Sequence, residues 1–253
     1  MIITSFSQKG YHDYGKRFIE TFLEHWTDEK LRVYYERGIP TSAPRDERVE
    51  YVNLYDFPDF VEFENVVKES DPMFSGIIRM PDGKNAYNFR FDVNRFYRKV
   101  FCMFHACTEE TADDRVAWVD ADVYFHNTMP QNFLRTLVQD STYIAHLQRE
   151  WLYSETGFVA FNTKHSVNKT FMELFMATYF NGSFKLLGEW HDCYVLDYLI
   201  KLFNVSRVNL TTDEKSNHPF NDSVLGKFMD HMKGPQRKEN GKSHEHELTQ
   251  KTA

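Results

Sequence analysis

The sequence predicts an α/β fold, a mostly parallel sheet with helices on both faces. Two observations carry that prediction. Short apolar runs of strand length alternate with stretches whose apolar residues recur at helical steps. One apolar run, Arg115 to Val119, stops on a pair of acids, Asp120 and Asp122. In open α/β sheets, the carboxyl ends of strands are where ligands bind.

The elements follow in order. Residues 1–6 read as a short strand and Ser7-Gln8-Lys9-Gly10 as a polar turn. Tyr14, Phe18, Phe22 and Trp26 then share one helical face. Leu31 to Tyr35 and Val49 to Leu54 read as strands, parted by a loop with Pro and Arg, and a helix runs from Pro58 to Glu69. The Pro-, Gly- and Asp-rich stretch from Ser70 to Tyr87 reads as a loop near the ligand cleft. Between Asp92 and Cys107, Val93, Phe96, Tyr97, Val100, Phe101 and Phe104 form the core-facing stripe of a helix. After the strand that ends on the acids, strands are expected at Thr142–Leu147 and Phe158–Asn162, and helices at Ser166–Phe180 and Glu189–Phe203. Val205 to Leu210 closes the set. Residues 1–235 are expected to form a single domain, and the polar, aperiodic residues 236–253 a mobile tail.

With 253 residues, 42% hydrophobic and 16% aromatic, the chain can bury a large core and is not of disordered composition. A net charge of −7 argues against a mainly electrostatic grip on nucleic acid, though a local basic groove stays open. Cys102, Cys107 and Cys193 lack zinc-type spacing and read as buried free thiols in a reducing compartment. No basic-then-apolar leader opens the sequence, and no apolar run approaches the ~20 residues of a membrane span. The expected location is cytoplasmic. Five Asn-x-Ser/Thr sequons, beginning at Asn168, Asn181, Asn204, Asn209 and Asn221, read as incidental in that setting.

The acidic pair has a physical rationale. Two carboxylates two residues apart repel each other unless a positive charge stands between them. A hard divalent cation such as Mn²⁺ or Mg²⁺ does that, and can also bridge substrate phosphates. An Asp-x-Asp alone is a common solvated turn. Here apolar residues precede it, and Val123-Tyr124-Phe125 follow it, so the acids interrupt core-facing sequence.

With Arg95, Arg98 and Lys99 on the helix before Asp120 and Asp122, the chain resembles GT-A glycosyltransferases. It is most like the retaining group that includes glycogenin and the lipopolysaccharide galactosyltransferases. The resemblance covers roughly residues 1–235 and rests on motif order and spacing. It implies a Rossmann-like GT-A fold, transfer from a nucleotide-sugar (a UDP-sugar foremost), and a metal held by Asp120 and Asp122. It also implies that Arg95, Lys99 and Asp120 contact the donor, with Thr4, Ser5 and Phe6 where base and ribose bind.

Two further motifs extend the resemblance. Glu155-Thr156-Gly157-Phe158 is similar to the segment that faces the donor sugar, which makes Glu155 a catalytic candidate near the anomeric carbon, although the family more often has Asn or Asp there. Trp190-His191-Asp192-Cys193 is similar to a segment that orients sugar or acceptor, implicating His191 in donor binding and Asp192 in catalysis. Asp192 would be the base in an inverting enzyme. Finally, His231-Met232-Lys233-Gly234-Pro235-Gln236-Arg237 matches the family's His-apolar-x-Gly-x-x-Lys, with Arg in place of Lys and no Pro-Trp after it. The match implies His231 as third metal ligand, with Lys233, Gly234 and Arg237 at the diphosphate. His218 is a weak acceptor-site candidate.

A nucleotidyltransferase also pairs acids with a metal, but Ser7-Gln8-Lys9-Gly10 is thin for its phosphate loop. A non-catalytic sugar-binding relative would have no need of both acids and His231. The acceptor stays open between glycan, lipid-linked sugar, protein and modified DNA. Lys227, Lys233, Arg237, Lys238 and Lys242 keep a polyanion in play.

Overall fold

The computed structural model describes residues 1–69, 71–234 and 237–238. The chain opens with β1 (Ile2–Ser7), a single helical turn α1 (Gln8–Gly10), a wider π-type turn at Tyr11–Gly15, and α2 (Lys16–His25). The expected polar turn at residues 7–10 is therefore the start of a helix. Ser7 is a good N-cap, and its hydroxyl accepts from Gly10 N at 3.2 Å. Next come β2 (Leu31–Glu36), β3 (Val49–Asn53) and α3 (Pro58–Glu69).

The expected loop over residues 70–87 contains a hairpin instead, β4 (Ser75–Arg79) paired antiparallel with β5 (Asn85–Asp92). Its turn is written in Pro81-Asp82-Gly83: Gly83 takes a positive φ of 82°, and the Asp82 carboxylate accepts from Lys84 N at 3.0 Å. Composition alone suggested loop there, but the two antiparallel partners supply the backbone hydrogen bonds.

Asp92 caps α4 (Val93–Thr108), accepting from Arg95 N at 3.1 Å. Then follow β6 (Arg115–Val119), β7 (Val123–Phe125), α5 (Phe133–Leu137), β8 (Ile144–Leu147) and β9 (Glu155–Asn162). The rest is α6 (Asn168–Phe180), α7 (Asp192–Phe203), β10 (Arg207–Asn209) and β11 (Met229–His231). The main sheet runs β10-β8-β9-β6-β1-β2-β3. All its strands are parallel except β9, which is antiparallel to both neighbours.

Each central strand is buried on both faces, and alternate residues serve two cores. Val116 and Trp118 of β6 join Ile3, Tyr34 and Phe161 against α3, α4, α6 and α7. Ala117 and Val119 join Ile2, Phe6, Val33 and Phe158 against α2, β7 and α5. Cys102 and Cys107 are buried free thiols, and Cys193 is a half-buried one. Among the described residues, no helix is long and apolar enough to cross a membrane. The expected tail, residues 236–253, lies outside the described residues apart from Arg237 and Lys238.

Candidate active site

The carboxyl ends of β1, β2 and β6 open on a cleft of 310 Å³. Ser5, Phe6 and Ser7 line it from β1, Glu36 from β2, and Arg95, Phe96, Arg98 and Lys99 from the first turns of α4. Asp120 and Asp122 form its floor together with Trp118.

The two acids are held differently. Asp120 Oδ1 accepts from the Trp118 indole at 2.6 Å and from Lys99 Nζ at 3.0 Å. Its other oxygen, Oδ2, faces His231 Nε2 at 3.8 Å. Asp122 Oδ1 meets His231 Nε2 at 3.1 Å, while Oδ2 pairs with Lys238 Nζ at 2.8 Å. Ligand atoms of Asp120, Asp122 and His231 lie within 4.8 Å of one another. Burial alone would raise the Asp122 carboxyl, but His231 and Lys238 hold it well below the usual carboxylate range. Burial likewise works against a charged His231, yet Asp122, Glu155 and Asp120 raise its pKa above 6.5.

Behind Asp120 sits a buried lysine. Lys99 Nζ reaches Asp120, Asp192 Oδ2 at 2.9 Å, the Thr156 carbonyl at 2.7 Å and the Thr156 hydroxyl at 3.1 Å. The Thr156 hydroxyl in turn donates to Asp192 Oδ2 at 2.7 Å. Burial disfavours the ammonium, but Asp120 and Asp192 outweigh it and raise its pKa above 10.5. Burial would likewise raise the Asp192 carboxyl, and Lys99 with Thr156 brings it below its ordinary value. Glu155, also buried, accepts from Gly157 N at 3.2 Å and is ion-paired to Lys233. Against the opposing pull of burial, Lys233 and His231 hold its carboxyl at about 2.

No protein family matches the sequence, and no curated protein does. Among solved structures, the galactosyltransferase LgtC, in complex with donor and acceptor sugar analogs, matches 92% of this chain and 87% of its own. Its TM-score is 0.53 at 13% identity. The chain has the GT-A fold. The apo form of mouse xyloside xylosyltransferase 1 aligns over 83% of this chain and 84% of its own, with a TM-score of 0.49 at 9% identity.

Within this GT-A fold, the sequence-predicted residues fall into three groups. Asp120, Asp122, His231, Glu155, Asp192, Lys99 and Lys233 are linked by the contacts above. Ser5, Phe6 and Arg95 line the cleft. The remainder do not line the cleft. Thr4 is fully buried in β1, and its hydroxyl has no partner among the described residues. His191 caps α7, its Nδ1 accepting from Tyr194 N at 3.3 Å, and its Nε2 pairs with Glu189 at 2.8 Å. Its ring is enclosed by Phe89, Phe96 and Tyr153. Gly234 takes a positive φ of 88°, and Arg237 donates to the Lys233 carbonyl at 3.2 Å. His218 is buried with its Nε2 3.2 Å from the His231 carbonyl, a bracing position.

Sequence reasoning passed over three residues of the site. Trp118 and Thr156 stand inside motifs already recognised, where only their neighbours drew attention, and Glu36 carries a charge at a strand end. Lys238 reads in the sequence only as part of the basic cluster, and the structure sets it against Asp122.

Proposed function

We propose that this chain is a glycosyltransferase that takes a sugar from a nucleotide-diphosphate sugar, with a divalent cation at Asp120, Asp122 and His231. The observation that carries it is the convergence of those three side chains just beyond the carboxyl end of β6, where Asp120 and Asp122 line an open cleft and His231 is buried behind them. Two carboxylates and an imidazole fit Mn²⁺, and also Mg²⁺ where phosphate oxygens complete the shell. Bound there, such an ion supplies charge stabilisation to the diphosphate leaving group.

The chain's own residues supply the rest. Ser5, Phe6 and Glu36 suit the nucleoside, of which uridine is the reading, and Arg95 suits a phosphate. Glu155, buried and ionised, is suited to face positive charge developing on the sugar. Asp192 is a poor general base, because its carboxylate is already satisfied by Lys99 and Thr156 and its pKa is lowered. That favours transfer with retention over an inverting displacement that uses Asp192.

The acceptor reading also narrows. Two members of the basic cluster that kept DNA in play are engaged by acids, Lys233 by Glu155 and Lys238 by Asp122. In the segment that leads into β9, Trp151 is 79% exposed, and Tyr153 packs on His191 at 4.8 Å. Flat apolar ring faces beside hydrogen-bonding groups suit a glycan better than a polyanion. The nucleotidyltransferase alternative loses ground because residues 8–10 are helical, not an open phosphate loop.

The test is donor hydrolysis or transfer across a panel of nucleotide-sugars, with Mn²⁺ and with excess chelator, followed by product NMR. Full activity in chelator would sink the metal assignment. A β-linked product from an α-linked donor would overturn retention and leave the fold intact.

A further inference from the structure

Both oxygens of Asp122 are occupied by side-chain nitrogens, Oδ1 by His231 Nε2 and Oδ2 by Lys238 Nζ. A metal ion cannot use Asp122 fully while the lysine stays. Lys238 is free to leave. Its side chain is 39% exposed, and its ammonium lies 5.2 Å over the Tyr14 ring, on the wall of the cleft that also holds Arg95. Lys99 differs in kind, being buried against two carboxylates and a backbone carbonyl.

We propose that Lys238 is an exchangeable cation that holds Asp122 while the metal site is empty and shifts to the donor's diphosphate when metal and nucleotide enter. The proposal rests on the metal reading above. Two positive charges cannot share one carboxylate without repulsion, so Lys238 and a lone metal ion compete. A diphosphate adds several negative charges beside the metal and gives the displaced ammonium a new partner within the same cleft. Lys238 therefore opposes metal binding in the absence of nucleotide and favours it in the presence of nucleotide. Such a change of sign is a coupling between two ligands carried by one side chain.

The experiment is Mn²⁺ binding to the full chain, read by the EPR signal of free Mn²⁺ and by calorimetry, with activity not required. It is run with Mn²⁺ alone, with saturating UDP, and with pyrophosphate as a diphosphate that carries no base. Relative to wild type, Lys238→Met should bind Mn²⁺ alone about fivefold tighter, the scale of a partly exposed ion pair. With UDP or pyrophosphate it should bind Mn²⁺ about tenfold more weakly, the scale of a charge-assisted hydrogen bond. Lys238→Arg should stay near wild type in every arm. Lys169→Met, which removes the same charge from an exposed helix face, should shift neither arm appreciably. Unchanged affinities in Lys238→Met, or shifts of the same sign in both arms, would overturn the exchange while the metal site stands. If wild type shows no saturable Mn²⁺ binding in any arm, the metal reading falls and the exchange falls with it.

Discussion

The imidazole of His231 occupies the space that a side chain on Gly157 would need. A Cβ at Gly157 would stand 2.8 Å from both Cε1 and Nδ1 of the ring. The two residues come from different sheets, Gly157 from β9 and His231 from β11, which pairs antiparallel with β7. That pairing sets His231 opposite Val123, directly after Asp122. A bare backbone on β9 therefore lets the histidine reach the acids.

Gly157→Ala should push the ring off Asp122. Expected are a stability loss of about 1–3 kcal/mol, as for other overpacked cores, and a clear fall in Mn²⁺ affinity. Denaturant titration and metal calorimetry on the same variant check both. Wild-type metal affinity in the variant would remove His231 from the ligand set.

Asp122→Asn should keep the fold and lose metal binding. The carboxylate lines the cleft, and its two partners, the His231 imidazole and the Lys238 ammonium, are served less well by a neutral amide. Circular dichroism should match wild type, while Mn²⁺-dependent nucleotide binding falls at least about tenfold, one lost charge-assisted contact.

Lys99→Met should be far more damaging to stability than its place beside a ligand cleft suggests. It leaves Asp192 and Asp120 without their shared counter-ion, and Asp192 is only 1% exposed. Removing one partner of a buried pair costs about 3–5 kcal/mol. Chemical denaturation measures it, and a loss below 1 kcal/mol would contradict the bridging role.

Stability should also fall on mild acidification because of His146. The ring is buried, with Nδ1 2.9 Å from the Ser154 hydroxyl, which itself donates to Asp197. Burial pushes its pKa down from 6.5 to about 4. A depressed folded pKa gives stability that is complete above pH 6.5 and is lost as pH falls toward 4, because the unfolded chain takes up the proton first. The loss should approach about 3 kcal/mol. His146→Gln should flatten the stability profile across that window.

Much of this was legible in the chain itself. The Asp-x-Asp stands out because it interrupts an apolar strand, and α4 because its stripe of Val93, Tyr97, Val100 and Phe101 is strictly periodic. Strands β7 and β11 escaped notice because each has three residues, too few for a period to show. The β4–β5 hairpin was hidden by turn-rich composition, though Pro81-Asp82-Gly83 marked its turn.

What the sequence by itself determined is the alternation of strands and helices, the acids at the end of β6, and the order of the motifs around them. These are local properties, fixed by spacing and residue type along the chain. Only the tertiary structure decided which charge meets which. Lys99, read as a donor contact, lies within reach of Asp120, Asp192 and Thr156, and His191, also read as a donor contact, caps α7 and pairs with Glu189. Lys238 stands on Asp122, 116 residues away in sequence. Burial and Coulomb attraction act through space, and neither distance nor burial is carried by sequence separation.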